Sequence, residues 1–535
     1  MKRAELSTGE ALVSLLEAYG VDTVFGIPGV HNVEMYRALP RSGIRHVLTR
    51  HEQGAGFMAD GYARVTGRPG VCFTITGPGL TNILTPMGQA WSDSVPMLVL
   101  SSSLDIADAA QGRGRLHEMT SQRGAALSIT TAAVTALTPS DVRDGVAEAF
   151  ARFASQRPRP AYLELPLDLL KMPAGDDWTA RTLPSRPAAN HKAIADAAAL
   201  LAKAGAPLMI LGGGAVDAGE SALAIAEAID AVILTTISGK GIVPSDHPLC
   251  LGTRLSQDKI REALHRADVI LAAGTEISET DLWETKIAIP GKLIRIDIDP
   301  ASPVRPHAGA VPILADAATA LAALAAALPD RSKLRRNPEA HAFIREHLAG
   351  ETADEDGLRS DLRMVLDIIR QALPRDTIIA SDMTQIAYAA NEIFPMDLPR
   401  RWLHPAGFGT LGYALPAAIG AKAGRPDLPT AVLVGDYGFQ YTINELGTAA
   451  ELGQPLVILL WNNDALGQIR DDMINKGIQP NAVTLRNPDF GAIAHAYACA
   501  YAKPQKLAEI LPAIAAALAA DRPTIIEMTP RMLPR

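Results

Sequence analysis

The sequence has few cysteines, no excess of positive charge and no long uncharged apolar run. Its three cysteines, Cys72, Cys250 and Cys499, are scattered over 535 residues, and no two have the spacing of a metal-binding pair. This usage is typical of a reduced cytosolic protein rather than of a disulfide-stabilised one. Acidic residues (58) outnumber basic ones (50) and no basic stripe appears, which does not favour nucleic acid as a partner.

Membrane and export signals are also missing from the sequence. No stretch of 18 or more uncharged apolar residues suggests a membrane span. Charges interrupt the N-terminal sequence MKRAELSTGEALVSLL, which therefore indicates an amphipathic helix rather than a signal peptide. Together with the cysteine usage, these features predict a soluble cytoplasmic protein with no membrane partner.

What the sequence does contain is apolar material for several cores. Hydrophobic residues make up 48% of the chain, and its length favours about three domains. Strand-like apolar runs alternate with helical patterns, as in βαβ units with parallel sheets. Two stretches look like linkers, a polar one with prolines at 173–190 and a highly charged one at 329–357. We predict an α/β protein of three doubly wound parallel-sheet domains, residues 1–172, 190–330 and 358–535.

The stretch 431–464 ends each of two apolar runs with polar residues. The first run stops at Gly435 and Asp436, and the second stops at Asn462 and Asn463, with room for a crossover helix between them. Ligands bind beyond the carboxyl ends of parallel strands, so Asp436 and Asn463 should converge at one sheet edge.

Such a pair has the chemistry of a metal site. A carboxylate, an amide oxygen and a nearby backbone carbonyl, for which Ala465 is suited, form the hard oxygen set that Mg²⁺ prefers when phosphate oxygens complete it. Taken singly, Gly-Asp is better explained as a strand-end turn and Asn-Asn as a helix-capping loop. Together, at this spacing, they predict a metal-diphosphate site.

The stretch resembles the diphosphate motif of thiamine-diphosphate-dependent enzymes, Gly-Asp-Gly followed further along by Asn-Asn. This chain has Tyr437 in place of the motif's second glycine, with Gly438 after it, which leaves the ligands intact but affects the tightness of the turn. Further motifs occur in the order found in the acetolactate synthase and 2-oxo acid decarboxylase superfamily. They are VFGIPGV, RHEQGAGFMADGYAR, TGPGLTN, GFGTLGYALPAAIGA and GDYGF followed by WNND.

This resemblance covers almost the whole chain and implies an architecture and an assembly. The family has an N-terminal pyrimidine-binding domain, a middle domain and a C-terminal diphosphate-binding domain. Its cofactors are thiamine diphosphate and Mg²⁺, and its substrates are small 2-oxo acids. Its active sites lie between subunits, so a homodimer is the minimum unit and a homotetramer is common.

Glu52 lies where the strand-like run IRHVLT gives way to a helix. An isolated glutamate there would be explained by the helix dipole. Within RHEQGAGFMADGYAR, however, it matches the family's cofactor-activating glutamate. The resemblance implies that Glu52 shares a proton with the aminopyrimidine ring of the cofactor. The thiazolium ring of the same cofactor accepts the electrons released with CO₂.

The resemblance also implies the remaining cofactor contacts. The Gly409 carbonyl accepts a hydrogen bond from the cofactor's amino group, and Leu411 is the apolar wedge under its bent form, although these small residues could merely permit close helix packing. Asn82 caps or lines the site, and Gln385 contacts the diphosphate, although a polar helix start is common. The predicted cofactor residues are Asn82, Gln385, Gly409, Leu411, Gly435, Asp436, Tyr437, Gly438, Asn463, Ala465 and Leu466, with Asp436, Asn463 and Ala465 as metal ligands.

The sequence after Asn-Asn bears on the substrate. Acetolactate synthases carry a Gln-Trp-Gln run there for the second oxo acid, whereas this chain has Arg470, Asp471, Asp472 and Met473. Those synthases also carry Phe-Gln-Glu and a later Lys in the pyrimidine domain, where this chain has RLHEMTSQ and a threonine. These differences argue against acetolactate synthase and against its FAD.

Adjacent carboxylates at Asp471 and Asp472 favour a substrate with a cationic tail. A guanidinium group binds carboxylates in a fixed fork, and the combination resembles 5-guanidino-2-oxopentanoate (2-ketoarginine) decarboxylase. The predicted reaction is non-oxidative decarboxylation of such a 2-oxo acid. Equally, both acids could be solvated helix residues, one paired with Arg470. Val30 and His31 are further substrate candidates.

Proton handling is assigned to His117, because an imidazole titrates near neutrality. The alternative, a hydrogen-bonded surface histidine, explains it nearly as well. Gln122, in the same RLHEMTSQ segment, joins Glu52 and His117 as a catalytic candidate, and His31 and His404 are lesser proton carriers.

Three other functions compete with decarboxylation. The first is carboligation, as in acetolactate synthase, and the second is a non-catalytic cofactor-binding relative. The third is a nicotinamide dehydrogenase, suggested by the glycines of LGGGAVDAG at 211–219. That run lacks a G-x-G-x-x-G match followed by an acid, so this interpretation ranks last.

Overall fold

The computed structural model describes residues 6–533 except 110, 176, 286–287, 306, 331–333, 335–336, 338, 341, 345 and 348–356. Much of the predicted linker 329–357, and the chain ends 1–5 and 534–535, lie outside the described residues. Three six-stranded sheets form the framework, and every paired strand runs parallel to its neighbour. The predicted three-sheet α/β fold is confirmed.

Each sheet takes its strands from one segment of the chain. The strand orders are β2-β1-β3-β4-β6-β5, β12-β11-β10-β7-β8-β9 and β14-β13-β15-β16-β18-β17. The strands are β1 Thr23–Gly26, β2 Arg45–Leu48, β3 Gly70–Thr74, β4 Met97–Ser103, β5 Ala132–Thr135, β6 Ala161–Pro166, β7 Pro207–Leu211, β8 Val232–Thr235, β9 Cys250–Gly252, β10 Val269–Ala273, β11 Lys292–Asp297, β12 Val311–Leu314, β13 Ile378–Ser381, β14 Trp402–Leu403, β15 Thr430–Gly435, β16 Leu456–Trp461, β17 Ala500–Ala502 and β18 Pro523–Met528. All lie within the predicted ranges 1–172, 190–330 and 358–535, whose boundaries remain a prediction.

Helices connect the strands and cover the sheets. The α-helices of eight residues or more are Thr8–Ala18, Glu52–Thr66, Pro78–Ser92, Pro139–Ser155, His191–Leu201, Gly219–Ile229, Asp258–Arg266, Ala317–Ala327, Gly357–Ala372, Gln385–Ile393, Ala414–Gly424, Gly467–Asn475 and Ile510–Leu518. Shorter ones are Val33–Tyr36, Gln122–Leu127, Leu167–Lys171, Glu279–Leu282, Asp436–Tyr441, Leu446–Glu451 and Phe490–Ala496. No described helix is long and apolar enough to cross a membrane.

The central strands have the continuous apolar composition of sheets covered on both faces. Every residue of β15 and β16 is buried, which explains why runs such as TAVLVG and LVILLW show no polar alternation. The edge strands were harder to recognise, because β14 and β17 have only two and three residues.

Helices Glu52–Thr66 and Ala414–Gly424 join the first and third domains. Glycines on each helix permit the close approach, since a Cβ atom at Gly61 would overlap the carbonyl of Ala417 and one at Gly420 would overlap that of Met58. Side chains of both helices belong to one buried core that also contains strands of both sheets. The two predicted cofactor-binding domains are therefore fixed against each other within one chain.

Candidate active site

The two polar strand ends of the C-terminal sheet meet at one edge. Strands β15 and β16 are parallel neighbours, with Gly435 opposite Trp461. Asp436 follows the first strand, and Asn462 and Asn463 follow the second. The predicted convergence is therefore present, because parallel neighbours present their carboxyl ends side by side.

Asp436 is buried, with 2% of its surface exposed. One carboxylate oxygen accepts the backbone N–H of Tyr437 at 2.9 Å and the other accepts the amide of Asn487 at 2.7 Å. Burial raises the pKa of Asp436, and the hydrogen bond from Asn487 acts in the opposite direction. Tyr437 is the second residue of helix Asp436–Tyr441, so its backbone adopts a conformation open to any residue and the turn does not need glycine there.

The donors at this edge suit a magnesium ion bound to a diphosphate. The Oδ1 atom of Asn463 accepts the N–H of Ala465 at 3.3 Å, so the side chain of Asn463 is in contact with the backbone of Ala465. The described residues contain no group of three or more His, Cys, Asp or Glu side chains that could hold a metal. A cation here would therefore take one carboxylate, amide and carbonyl oxygens, and phosphate, which is the Mg²⁺ pattern.

Gln385 links the Asn463 turn to the helix that follows it. Its Oε1 accepts the Asn463 amide at 3.3 Å, and its Nε2 donates to Asp471 at 2.7 Å. Gly467 lies against both side chains, and an added Cβ would lie 2.7 Å from Asn463 Nδ2. Leu466 is fixed by its N–H, which donates to the Val483 carbonyl at 2.9 Å. Two of the predicted diphosphate residues, Gln385 and Asn463, are therefore in direct contact.

The loop that carries Gly409 and Leu411 is held by a buried acid that sequence reasoning missed. Asp382, at the end of β13, accepts the backbone N–H groups of Gly412 at 3.0 Å and Ala414 at 3.3 Å. Burial raises the pKa of Asp382 to about 6, although these N–H groups lower it. Gly409 has φ 66°, a left-handed conformation that glycine adopts without strain.

The same loop also contacts the first domain. Thr410 donates its hydroxyl to Gln89 at 2.9 Å, and Gly407 donates its N–H to Asp93 at 2.7 Å. Arg64 donates to the same Asp93 carboxylate at 2.8 Å. The C-terminal end of helix Pro78–Ser92 therefore fixes the position of the predicted cofactor loop.

Glu52 begins helix Glu52–Thr66 and is 7% exposed. Its Oε2 accepts the Asn82 amide at 2.9 Å, so these two predicted residues are in direct contact. The preceding turn is held from the third domain, because the buried Glu445 accepts the N–H groups of Arg50 at 3.1 Å and His51 at 3.0 Å.

Within one chain, Glu52 and the Gly409 loop are attached to opposite ends of helix Pro78–Ser92. Glu52 is bonded to Asn82 near its N-terminus, and the loop is bonded to Gln89 near its C-terminus. Seven residues of α-helix separate these positions by about 10 Å.

Gln122 and His117 lie beside the Gly77 turn that begins this helix. Gln122 accepts the N–H of Gly77 and donates to Ser102 at 3.0 Å and Tyr162 at 3.3 Å. These bonds make it a support for the turn, and its direct catalytic role remains a prediction. An added Cβ at Gly77 would lie 2.6 Å from the His117 carbonyl oxygen.

His31 and His117 form a pair. Their rings lie edge to face with centroids 4.9 Å apart, and each has a buried Nδ1 with no hydrogen-bond partner among the described residues. Burial, followed by the neighbouring His117, lowers the pKa of His31. Val30 beside them is 70% exposed, so it lines an open surface.

His404, the lesser proton carrier, is enclosed. Its Nδ1 is 2.9 Å from the Ser381 hydroxyl and its Nε2 is 3.1 Å from the Asn391 amide. Burial lowers the pKa of His404 to about 3, so the ring is neutral at physiological pH. Both ring nitrogens bond to protein groups and the side chain is 3% exposed, which does not favour His404 as a proton carrier.

The two acids of helix Gly467–Asn475 have different surroundings. Asp471 pairs with Arg470 at 3.0 Å and accepts Gln385, as in the alternative interpretation that pairs one acid with Arg470. Asp472 is half-buried and accepts the Gln468 amide at 3.2 Å. It also lies near Tyr388, whose pKa is raised to about 12 by burial and then by the charges of Asp382 and Asp472. Asp472 is thus the acid with more capacity to bind a cation.

Four residues of the site escaped sequence reasoning. Asp382 had a usable signal, since it ends a strand-like run, TIIASD, as Asp436 does. No local pattern marks the others as partners of the site, because their contacts join distant segments. They are Gln89, Glu445 and Asn487.

Family models of thiamine pyrophosphate enzymes match three stretches of the chain. The N-terminal TPP binding domain matches residues 6–125, the central domain matches 194–324 and the C-terminal TPP binding domain matches 382–528. The N-terminal match contains Glu52 and Asn82, and the C-terminal match contains Gly409, Asp436 and Asn463.

Curated relatives are similar over nearly their whole lengths. The probable 2-ketoarginine decarboxylase AruI of Pseudomonas aeruginosa is 49% identical, over 98% of this chain and 94% of that protein. The acetolactate synthase large subunit of Corynebacterium glutamicum is 34% identical, over 98% and 87%. A probable acetolactate synthase large subunit of Methanocaldococcus jannaschii is 31% identical, over 91% and 86%.

Proposed function

Because the chain belongs to the thiamine pyrophosphate enzyme family, we propose that it decarboxylates a 2-oxo acid with a guanidino tail, such as 5-guanidino-2-oxopentanoate. The observation that carries the substrate proposal is the half-buried Asp472 in the helix next to the metal-site turn. The similarity to a probable 2-ketoarginine decarboxylase supports it. The alternatives of a non-catalytic relative and a nicotinamide dehydrogenase receive no such support.

The cofactor proposal assigns the metal and diphosphate contacts to the C-terminal domain. Thiamine diphosphate, when bound, supplies the electron sink for decarboxylation. Asp436, Asn463 and the Ala465 carbonyl would hold Mg²⁺, and the other diphosphate contacts would come from Gln385 and the segments around Gly435–Gly438 and Leu466. Gly409 and Leu411 would contact the remainder of the cofactor.

Glu52 would exchange a proton with the cofactor, as its match to the family's cofactor-activating glutamate implies, and its hydrogen bond from Asn82 fixes the position of the buried side chain. His117 and His31 are proposed to move protons at the substrate, since the buried nitrogen of each lacks a protein partner. Gln122 acts through the Gly77 turn.

A dimer would bring the separated groups together. One chain holds Glu52 and the Gly409 loop at opposite ends of a helix, so an active site made by Glu52 of one subunit and the loop of another explains the arrangement. We propose a homodimer or homotetramer on this basis. A cytoplasmic location is proposed from the three cysteines, all unpaired and buried.

A panel of 2-oxo acids assayed for CO₂ release tests the proposal. With thiamine diphosphate and Mg²⁺, 5-guanidino-2-oxopentanoate should be used with a higher kcat/KM than pyruvate or branched-chain 2-oxo acids. Omission of either cofactor should abolish the release. A preference for uncharged acids would contradict the substrate assignment, and no cofactor-dependent CO₂ from any acid would contradict the enzyme assignment.

Carboligation is the second candidate, favoured by the acetolactate synthase large subunits that are 31–34% identical over most of the chain. The product formed from pyruvate discriminates between decarboxylation and carboligation. A decarboxylase releases an aldehyde, whereas a synthase releases acetolactate.

We predict that Asp472→Asn raises the KM for the guanidino acid by about 10-fold, because a hydrogen bond to a charged group contributes about 1.5–3 kcal/mol and about 1.4 kcal/mol equals a factor of ten. The KM for pyruvate should change less than twofold (roughly 0.4 kcal/mol). Asp472→Trp should show the same selectivity with a larger loss.

Asp521→Asn serves as the control for Asp472→Asn. Asp521 is exposed and precedes β18, at the opposite edge of the same sheet. The Asp521→Asn substitution should leave the KM values for the guanidino acid and for pyruvate unchanged. Equal effects of Asp472→Asn on both substrates would mean that this carboxylate does not recognise charge.

A further inference from the structure

The side chain of Asn487 lies among the groups of the proposed metal site. Its Nδ2 is 2.7 Å from Asp436 Oδ2, 2.9 Å from Asn462 Oδ1 and 3.1 Å from Asp464 Oδ1. Asp436 belongs to the segment that follows β15, whereas Asn462 and Asp464 belong to the segment that follows β16. Asn487 itself comes from a third segment, just before helix Phe490–Ala496.

The orientation of this amide is fixed by a fourth contact. Gln440 donates its Nε2 to Asn487 Oδ1 at 3.0 Å and also to the Asp436 carbonyl at 3.0 Å. A flipped Asn487 amide would turn its oxygen toward three other oxygens and its nitrogen toward a donor, which is unfavourable on both sides. The nitrogen of Asn487 therefore faces the three acceptors.

An amide nitrogen has two hydrogens, so the three acceptors share them. A planar amide nitrogen has no free lone pair and is not a metal ligand, whereas carboxylate oxygens accept more than one partner. Asn487 can thus hold Asp436 and the Asn462–Asp464 turn together and still leave their oxygens able to bind a cation. Asn487 also donates to the carboxylates of both Asp436 and Asp464, and this shared donor offsets the repulsion between their negative charges.

We propose that Asn487 is a positioning residue of the metal site: it holds Asp436 and the Asn462–Asp464 turn in register before the cation arrives, so that the donors are preorganised. The proposal rests on the proposed function, which supplies the metal. Groups that orient metal ligands in this way typically change metal affinity by about 10- to 100-fold when they are removed.

The test measures Mn²⁺ as a paramagnetic substitute for Mg²⁺, by electron paramagnetic resonance, with the full chain and thiamine diphosphate. Asn487→Ala should weaken Mn²⁺ binding by about 10- to 100-fold. Asn481→Ala is the matched control, because Asn481 lies in the same loop, is exposed and donates only to the Gln479 carbonyl. The control should bind Mn²⁺ as the unaltered protein does.

A second readout separates positioning from general stability. Thermal unfolding without metal and cofactor should give a lower midpoint for Asn487→Ala than for Asn481→Ala, because Asn487 makes four side-chain hydrogen bonds. The rise in midpoint on adding metal and cofactor should also be smaller for Asn487→Ala, and a purely structural role would leave that rise unchanged. Should Asn487→Ala not fold, Gln440→Leu tests the same idea, because it removes the donor that orients Asn487, and it should weaken Mn²⁺ binding in the same direction.

Two results would count against different claims. If the unaltered protein binds Mn²⁺ and Asn487→Ala, or Gln440→Leu in its place, binds it within twofold as tightly, the positioning role is wrong. If the unaltered protein does not bind Mn²⁺ even with thiamine diphosphate, the proposed metal site itself is wrong and the role of Asn487 fails with it.

Discussion

Replacing Glu52 with glutamine is expected to lower kcat by at least about 100-fold, because positioned proton transfer contributes about 10²- to 10⁴-fold to catalysis. Glutamine has nearly the same size as glutamate, and its amide oxygen can still accept the hydrogen bond from Asn82 that Glu52 accepts at 2.9 Å. It cannot give up and retake a proton. Binding of thiamine diphosphate and the thermal unfolding midpoint should therefore change little while CO₂ release is lost.

The control for this variant is Glu451→Gln. Glu451 is 58% exposed and pairs with Arg50 on the surface, so its substitution should leave kcat unaltered. Steady-state CO₂ release with saturating cofactor and substrate is the measurement. A kcat for Glu52→Gln close to that of the unaltered protein would remove Glu52 from the proposed chemistry.

The second large effect is expected from Asp436→Ala. We predict that thiamine diphosphate affinity in the presence of Mg²⁺ falls by at least about 100-fold, the upper end of what losing a residue behind a metal ligand costs. Asp436 is the one carboxylate in the proposed ligand set, and Mg²⁺ requires such hard anionic oxygen donors. Equilibrium binding of the cofactor with and without Mg²⁺ measures the effect.

The stability of the metal-free protein, unlike its cofactor affinity, should not fall when Asp436 is replaced by alanine. The Asp436 carboxylate is buried and lies near the Asp464 charge, and both raise its pKa, so its loss should not lower the unfolding midpoint of the metal-free protein. Asp427→Ala is the matched control, since Asp427 is exposed near the opposite end of the same strand, β15. An Asp436→Ala variant that retains Mg²⁺-dependent cofactor binding would contradict the assigned ligand.

The sequence determined the fold class and the edge at which the site lies. Strand-like apolar runs that alternate with helical patterns indicated parallel sheets, and the carboxyl ends of parallel strands meet at one edge. The pairing of Asp436 with Asn463 therefore follows from the order of strands and polar residues along the chain. The start of a helix at Glu52 was equally readable from the sequence, and that helix ends at Gly67, which has φ 71° as a C-cap glycine.

Local pattern alone indicated less about individual side chains. Tyr437 seemed to loosen the turn, yet it lies in a short helix where glycine is not needed. Asp471 and Asp472 looked equivalent, yet the tertiary contact of Asp471 with Gln385 separates them. His404 looked like a candidate proton carrier, yet it is enclosed by protein groups.

Only the tertiary structure decided which residues support the site. Glu445 holds the turn before Glu52 from 395 positions away, Thr410 is bonded to Gln89 from 321 positions away, and Asn487 joins two strand ends from a third segment. Periodicity and spacing report the neighbours of a residue along its own helix or strand. Contacts between domains depend on how whole elements pack, and that information is spread over many buried side chains rather than written in any short motif.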